Sequence, residues 1–154
     1  MCQIIDCTAL DAAPMATLAH QTHQDSWTAE ACAELLKSPH TISLKLERTL
    51  KNLPKKSIVE GFILGRVLGD DVEILCFAIH PLRQGEGLGS QLLQYFENRS
   101  QEKGAQTIFL EVRQENHRAI SFYTLKNYDS YGMRKNYYQK PTADAVLMKK
   151  NIKV

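Results

Sequence analysis

Three glycines at alternate positions, Gly85, Gly87 and Gly89, follow an apolar run and precede an amphipathic one. The stretch reads Val72-Glu-Ile-Leu-Cys-Phe-Ala-Ile-His-Pro-Leu-Arg-Gln-Gly-Glu-Gly-Leu-Gly89, a buried strand leading through glycines into a helix. The N–H groups left free at a helix start converge on one spot, and the helix dipole makes that spot attractive to anions. Glycines let the backbone curl around the anion with no Cβ in the way. Arg83 adds positive charge close by. A diphosphate is the expected occupant. A Walker loop is excluded, because no Lys-Ser/Thr follows. A Rossmann loop is excluded too, because its spacing differs and it opens the first βαβ unit instead of sitting mid-chain. The plain alternative, a turn that merely connects strand to helix, leaves three costly glycines without a purpose.

The elements that must position this segment read as follows. Ile4 and Ile5 open a short strand. Asp11 and Pro14 signal a helix start running to about His23. Thr28 caps a second helix, with Glu30 favouring its positive end, and that helix stops near Lys37 ahead of Pro39. Ile42, Leu44 and Leu46 alternate with polar residues as a half-buried strand. Lys51 to Lys56, containing Pro54, reads as a polar connection. Ile58 to Val67 and Val72 to Ile79 are apolar strands joined by a Gly69-Asp70-Asp71 hairpin turn. In Ser90 to Lys103, Leu92, Tyr95, Phe96 and Arg99 continue the helical spacing begun at Leu88, and Gly104 is the stop. Thr107 to Val112 is a strand with Ile108, Leu110 and Val112 on one face and Phe109 and Glu111 on the other. Arg118 to Leu125 has a helical pattern, and Tyr128–Tyr138 and Ala145–Met148 close the chain as strands around Pro141. Hairpins mixed with crossovers imply a mixed α/β (α+β) sheet covered on its faces.

At 154 residues, 44% hydrophobic and 23% charged, the chain has the balance of one ordinary globular domain. No apolar run approaches the about 18 residues of a membrane span. The first twenty residues lack the basic start and apolar stretch of a signal peptide, so a cytoplasmic location is expected. The net charge, 19 − 17 = +2, argues against a nucleic-acid partner and for anion binding that is local. Cys2, Cys7, Cys32 and Cys76 show no C-x-x-C pair and no zinc spacing, and are expected to be reduced thiols with no metal.

Gln84-x-x-Gly87-x-Gly89, after a strand and before a helix, resembles the acetyl-CoA pyrophosphate loop of the GNAT superfamily of N-acetyltransferases. The order of strands and helices resembles that family along nearly the whole chain. The resemblance implies a single domain over residues 1–154, with a central, mostly antiparallel sheet of about seven strands flanked by four helices. It also implies acetyl-CoA as co-substrate, held by the backbone of Phe77, Ala78 and Ile79 and by the loop residues Gln84, Gly85, Glu86, Gly87, Leu88, Gly89 and Ser90. Downstream stand Leu110-Glu-Val-Arg-x-x-Asn116 and Ala119-Ile-Ser-Phe-Tyr123. In the family an Asn at this helix start contacts the pantetheine arm, and the Tyr lies near the coenzyme sulfur. Asn116 and Tyr123 are seven residues apart, about two helical turns, so they can line one side of a channel. With Trp27-Thr28, Asn136-Tyr137-Tyr138 and Asp144-Ala145, the combination is similar to the RimI-type branch. Those enzymes acetylate the N-terminal alanine of a ribosomal small-subunit protein. The branch implies Glu111 as general base and Tyr123 as general acid; a monomer or weak dimer is expected. Three departures stand out: Leu125-Lys126-Asn127-Tyr128 for the usual Leu-Gly-Phe, Phe77 for a commoner polar residue, and Ser26 for a Pro before Trp27.

Acetyl transfer needs a neutral amine, a polarised thioester and a protonated leaving thiol. A free α-amino group titrates near about 7.7–8.0, so a modest base suffices. Two other readings fit the same loop: an acetyltransferase of small-molecule amines, and a non-catalytic acyl-CoA-binding module. Cys76, on the cofactor strand, reads as a core thiol in preference to a nucleophile. His80 and His117 read as solvated loop histidines in preference to proton relays. Glu111 has a surface alternative, paired with Arg113 on its own face. Tyr137 and Tyr138, on opposite faces of a regular strand, would place only one ring in an acceptor groove.

Overall fold

The computed structural model describes residues 2–153. Its elements, in chain order, are β1 (Cys2–Asp6), α1 (Ala12–Gln21), α2 (Ala29–Leu36), β2 (Thr41–Leu50), β3 (Leu53–Leu68), β4 (Asp71–Ile79), α3 (Leu88–Glu102), β5 (Thr107–Arg113), α4 (His117–Leu125), β6 (Asp129–Gln139) and β7 (Thr142–Asn151). The seven strands form one sheet in the order β1-β2-β3-β4-β5-β7-β6. All pairings are antiparallel except β4 with β5. This is the mixed sheet that the residue pattern predicts, in the mostly antiparallel, seven-strand and four-helix form that the family resemblance implies.

Local signals explain the element ends. The Thr28 hydroxyl accepts from the Ala31 N–H, capping α2. The Asn116 side chain does the same for α4 from the Ala119 N–H. Asn127, in place of the usual glycine after α4, takes φ +70°, a conformation asparagine tolerates better than other side chains. One boundary differs from expectation. The polar stretch Lys51–Lys56 is not a connection: β2 runs to Leu50 and β3 starts at Leu53, leaving a turn at residues 51–52. Pairings Thr49↔Ser57 and Leu50↔Leu53 extend the ladder outward, so cross-strand hydrogen bonds override the local preferences of Pro54 and its lysines.

The sheet separates two cores. One, under α3 and α4, gathers Leu44, Ile63, Ile74, Leu92, Phe96, Ile108, Leu110 and Tyr123. The other, under α1 and α2, gathers Met15, Leu18, Cys32, Phe62, Leu64, Cys76 and Ala78. Two β-bulges decide which side chains go where. Between β3 and β4, Leu64 faces Cys76 but Gly65 faces Ile74, so Leu75 is the extra residue. The bulge exchanges faces: Val72 and Ile74 point to the α3 side, whereas beyond it Phe77 and Ile79 do and Cys76 and Ala78 turn to α1. Between β2 and β3, Leu46 faces Gly61 but Glu47 faces Val59, which makes Glu60 the extra residue.

Candidate active site

β4 and β5 pair at only three positions, Asp71↔Thr107, Val72↔Ile108 and Glu73↔Phe109. Beyond these, β4 stays with β3 to Ile79 and β5 stays with β7 to Arg113, so the two parallel strands diverge and open a slot. The glycine loop stands at the end of β4, and α4 follows the end of β5.

At the loop, Gly85 and Gly87 have φ of +84° and +80°, and a Cβ built on either meets nothing within 4 Å. Their glycine character therefore answers to backbone conformation and to open space, not to protein packing. Gly87 is the N-cap of α3 and supplies no side chain to cap it. Among the described residues no acceptor meets the backbone N–H groups from Gln84 to Ser90; Gln91, the next, donates to the Gly87 carbonyl. A row of unpartnered donors, on exposed residues from Gln84 to Gly87 and half-buried ones from Leu88 to Ser90, at the positive end of a 15-residue helix is the physical description of an anion cradle. Gly89 differs, lying within α3, where a Cβ would find ordinary contacts with Ile79 and Phe77, both at 3.7 Å. Leu88 and Ser90 complete the first turn.

Arg83 corrects the sequence reading. Its charge is not left free for an anion, because Nη1 pairs with Glu60 at 2.6 Å and Nε with Glu86 at 2.9 Å.

The backbone of β4 faces the slot at alternate residues. His80 donates to the Glu60 carbonyl on the β3 side, so the groups of Phe77 and Ile79 turn toward β5, and those of Ala78 toward β3. Two side-chain amides cap the carbonyls on the slot side: Gln24 donates to Phe77 O at 3.2 Å and Gln84 to Ile79 O at 3.0 Å. The Phe77 side chain crosses Phe122 and Tyr123 edge to face, with ring centroids 5.9 and 6.4 Å apart, forming an aromatic wall beside Gly89. Asn116 is exposed, and with its oxygen engaged in the cap its amide NH₂ remains available as a donor.

Glu111 and Tyr123 lie on opposite sides of β5. Tyr123 belongs to the α3-side core with Leu110 and Val112, and strand alternation sends Glu111 the other way. Burial pushes the Tyr123 phenol well above the ordinary tyrosine range, with Cys76 and Tyr138 adding to the shift. Its hydroxyl makes no hydrogen bond among the described residues. Glu111 pairs with Arg134 at 3.6 Å, not with Arg113, which turns to Glu115 and the Pro141 carbonyl. With Glu73, Phe109, Tyr131 and Tyr137 it lines a cavity of about 420 Å³ on the face away from α3.

Tyr137 and Tyr138 do not obey simple alternation. Asn136 takes φ +53° with its N–H bonded to Asp144, and the β6–β7 register slips between Arg134 and Tyr138. The two rings then touch, 5.1 Å between centroids, and both sense Glu111. Tyr138 lies over Arg113, and burial ahead of the Glu111 charge pushes its phenol up to about 12. Tyr138 thus senses Glu111 and in turn adds to the upward shift of Tyr123.

Gln24, Glu60 and Arg134 are absent from the sequence reading. Only Glu60 left a signal, as a lone carboxylate inside an apolar strand. Cys76 is buried, as expected, its thiol donating to Gln24 Oε1 at 3.2 Å and pushed upward by burial. His80 accepts from the Leu82 N–H through Nδ1, which makes it a turn cap, and His117 is the exposed first residue of α4. Among the described residues no group of three potential ligands could hold a metal ion, and no helix is long and apolar enough to cross a membrane.

A splayed parallel pair, a glycine cradle at its mouth and a helix closing its far side define a class, and the chain belongs to it: the acetyltransferase (GNAT) family, whose model matches residues 15–127. It is an acetyltransferase by class, and its family uses acetyl-CoA. Within the family it is similar to ribosomal protein bS18-alanine N-acetyltransferases. That of Haemophilus influenzae is 36% identical over 102 residues, 64% of this chain and 68% of the relative. That of Escherichia coli K12 is 32% identical over 92 residues, 60% of this chain and 61% of the relative. A Bacillus subtilis protein provisionally given the same activity is 32% identical over 123 residues, 79% of this chain and 77% of the relative. The crystal structure of the Escherichia coli enzyme shares the fold with a TM-score of 0.86 and 24% identity, over 100% of this chain and 96% of that one.

Proposed function

We propose that residues 1–154 work as one domain that moves the acetyl group of acetyl-CoA directly to the N-terminal alanine of a ribosomal small-subunit protein. The observation that carries this reading is the slot between β4 and β5, with the cradle at its mouth and Glu111 and Tyr123 on its two sides. The N–H groups from Gln84 to Ser90 hold the linked phosphates, and the slot-facing backbone of Phe77 and Ile79, flanking Ala78, orients the pantetheine arm like an added strand. Asn116 donates to the same arm. Glu111, open to the cavity side, takes the proton of the incoming ammonium directly or through water. Tyr123, kept protonated by burial, gives its proton to the departing thiolate while the attacking nitrogen sheds its second proton to solvent, from which the phenolate is reprotonated. Positioning supplies most of the acceleration, since neither group is a strong acid or base. The tyrosine pair and Arg134 beside Glu111 fit a peptide end better than a bare amine, and the similarity to the bS18-alanine enzymes supports the same acceptor. We further propose that the protein acts in the cytoplasm, as a monomer or weak dimer and without nucleic acid.

The test is turnover. Purified protein with acetyl-CoA and a peptide beginning Ala-Arg is expected to release free thiol and yield an acetylated α-amine by mass spectrometry. Efficient acetylation of a polyamine or amino-sugar, with none of the peptide, would replace this reading by a small-molecule acetyltransferase.

A further inference from the structure

Glu60 takes no part in the chemistry above, yet it grips the loop at two points. Its backbone carbonyl accepts from the His80 N–H at 2.8 Å, where the loop begins. Its carboxylate, 6% exposed, accepts from Arg83 at 2.6 Å, where the short turn Pro81–Arg83 ends. The carboxylate is aimed there by the β-bulge of which Glu60 is the extra residue, a device that redirects a side chain at the cost of one ladder position. Arg48 holds the second carboxylate oxygen at 2.7 Å, and the Cys2 sulfur packs beside the group, 3.9 Å from both Glu60 and Arg83. Arg83 in turn draws Glu86 to itself at 2.9 Å. The four charged residues Arg48, Glu60, Arg83 and Glu86 form a ladder of zero net charge from β2 to the glycine loop.

Two consequences follow for an anion in the loop. Arg83 contributes no free charge, so attraction comes from the N–H row and the helix dipole. Glu86, the one carboxylate within the loop, is held by an arginine and so is kept from repelling the phosphates. We infer that Glu60 is a positioning residue for coenzyme binding, which through Arg83 fixes the loop in its anion-accepting shape and retires the Glu86 charge. The inference rests on the reading of Gln84–Ser90 as the diphosphate cradle.

Calorimetry with coenzyme A, together with steady-state kinetics, tests it. Glu60→Gln is expected to weaken coenzyme A binding by about threefold to thirtyfold, the range for coupling through a packed network. The KM for acetyl-CoA should rise by the same factor while the acceptor KM and kcat stay put. Arg83→Gln should match it, the double variant should be no worse than either single one, and Arg83→Lys should recover part of the loss. A merely structural Glu60 would lower the melting temperature and the active fraction and leave the affinity of the folded protein unchanged, which overturns the inference. Tighter binding in Glu60→Gln also overturns it, since Arg83 would then be a phosphate ligand held back by Glu60. Should Glu60→Gln fail to fold, Arg83→Gln, in which Glu60 keeps Arg48, carries the same expectation. Gly87→Val separates the two layers: its failure to affect binding overturns the cradle itself, whereas loss there with none in Glu60→Gln or Arg83→Gln overturns the inference alone.

Discussion

The two sides of the slot are made of different materials. On the proposed coenzyme side most polar groups are backbone: N–H donors of the loop and strand edge, fixed by a bulge, two positive-φ glycines and the start of α3, with the Gln24, Gln84 and Asn116 amides beside them. On the proposed acceptor side they are side chains: Glu111, Arg134, Tyr131, Tyr137 and Tyr138, on the half-buried outer face of β5 and the mostly exposed β6. A backbone site is rigid and indifferent to side-chain identity except where a Cβ would intrude. A side-chain site can be altered residue by residue without touching the fold. The same scaffold can thus keep one donor substrate while its acceptor changes.

The largest effect expected from this contrast is at Gly87. Gly87→Val places a branched side chain at φ +80°, strained by about 1–3 kcal/mol, in space that no protein atom uses. The protein is expected to fold with a lowered melting temperature and to lose measurable coenzyme A binding by calorimetry. Binding at wild-type affinity would mean that the backbone of this loop is not the phosphate site.

The same contrast decides what is legible in the sequence alone. The shape of the glycine loop was legible because glycine spacing after an apolar strand is a local code for backbone conformation. The capped helix at Thr28 and the hairpin at Gly69-Asp70 were legible for the same reason. The face around Glu111 was not. The pairing of Glu111 with Arg134 across β7, in place of Arg113, depends on strand order. The contact of Tyr137 with Tyr138 depends on a bulge at Asn136 whose partner is Asp144 on the next strand. Arg83 misled for a related reason: a positive charge beside an anion loop reads as a ligand until a buried carboxylate from another strand is seen to hold it. The long β2–β3 hairpin was hidden because Pro54 and three lysines are poor strand residues individually, and pairing outweighed them.

Next in size come the two groups flanking β5. Glu111→Gln is expected to lower kcat by about 100-fold, in the range for removal of a general base, with coenzyme A affinity unchanged. A coenzyme affinity that fell in parallel would place Glu111 in binding instead of proton transfer, and an unchanged kcat would favour a non-catalytic module. Tyr123→Phe is expected to lower kcat by about tenfold or more without changing the shape of the pH–rate profile below about pH 10. Burial holds both Tyr123 and Tyr138 above the ordinary value, so neither phenol ionises in that interval. A basic limb that shifted in Tyr123→Phe would contradict that environment. The sign for stability follows. A phenol whose folded pKa is raised contributes fully below the unfolded value of about 10 and loses that contribution as pH climbs toward the folded one, so melting temperature should drop above about pH 10.

The smallest effect is expected at Cys76, which lies on the coenzyme strand but on the α1 side of it. Beyond the Leu75 bulge its side chain turns away from Phe77 and Tyr123, toward Cys32 and Gln24. Burial first, then Cys32, pushes its pKa upward, so the thiolate that a ping-pong route requires is scarce at neutral pH. Cys76→Ala removes one sulfur and its hydrogen bond to Gln24, at a stability loss of about 1 kcal/mol. Since Gln24 still reaches the Phe77 carbonyl, the coenzyme strand keeps its support and kcat should stay within about twofold. Loss of turnover in this variant, with an acetyl group found on Cys76 in the unaltered protein, would replace direct transfer by a covalent route and move the chemistry to the opposite face of β4.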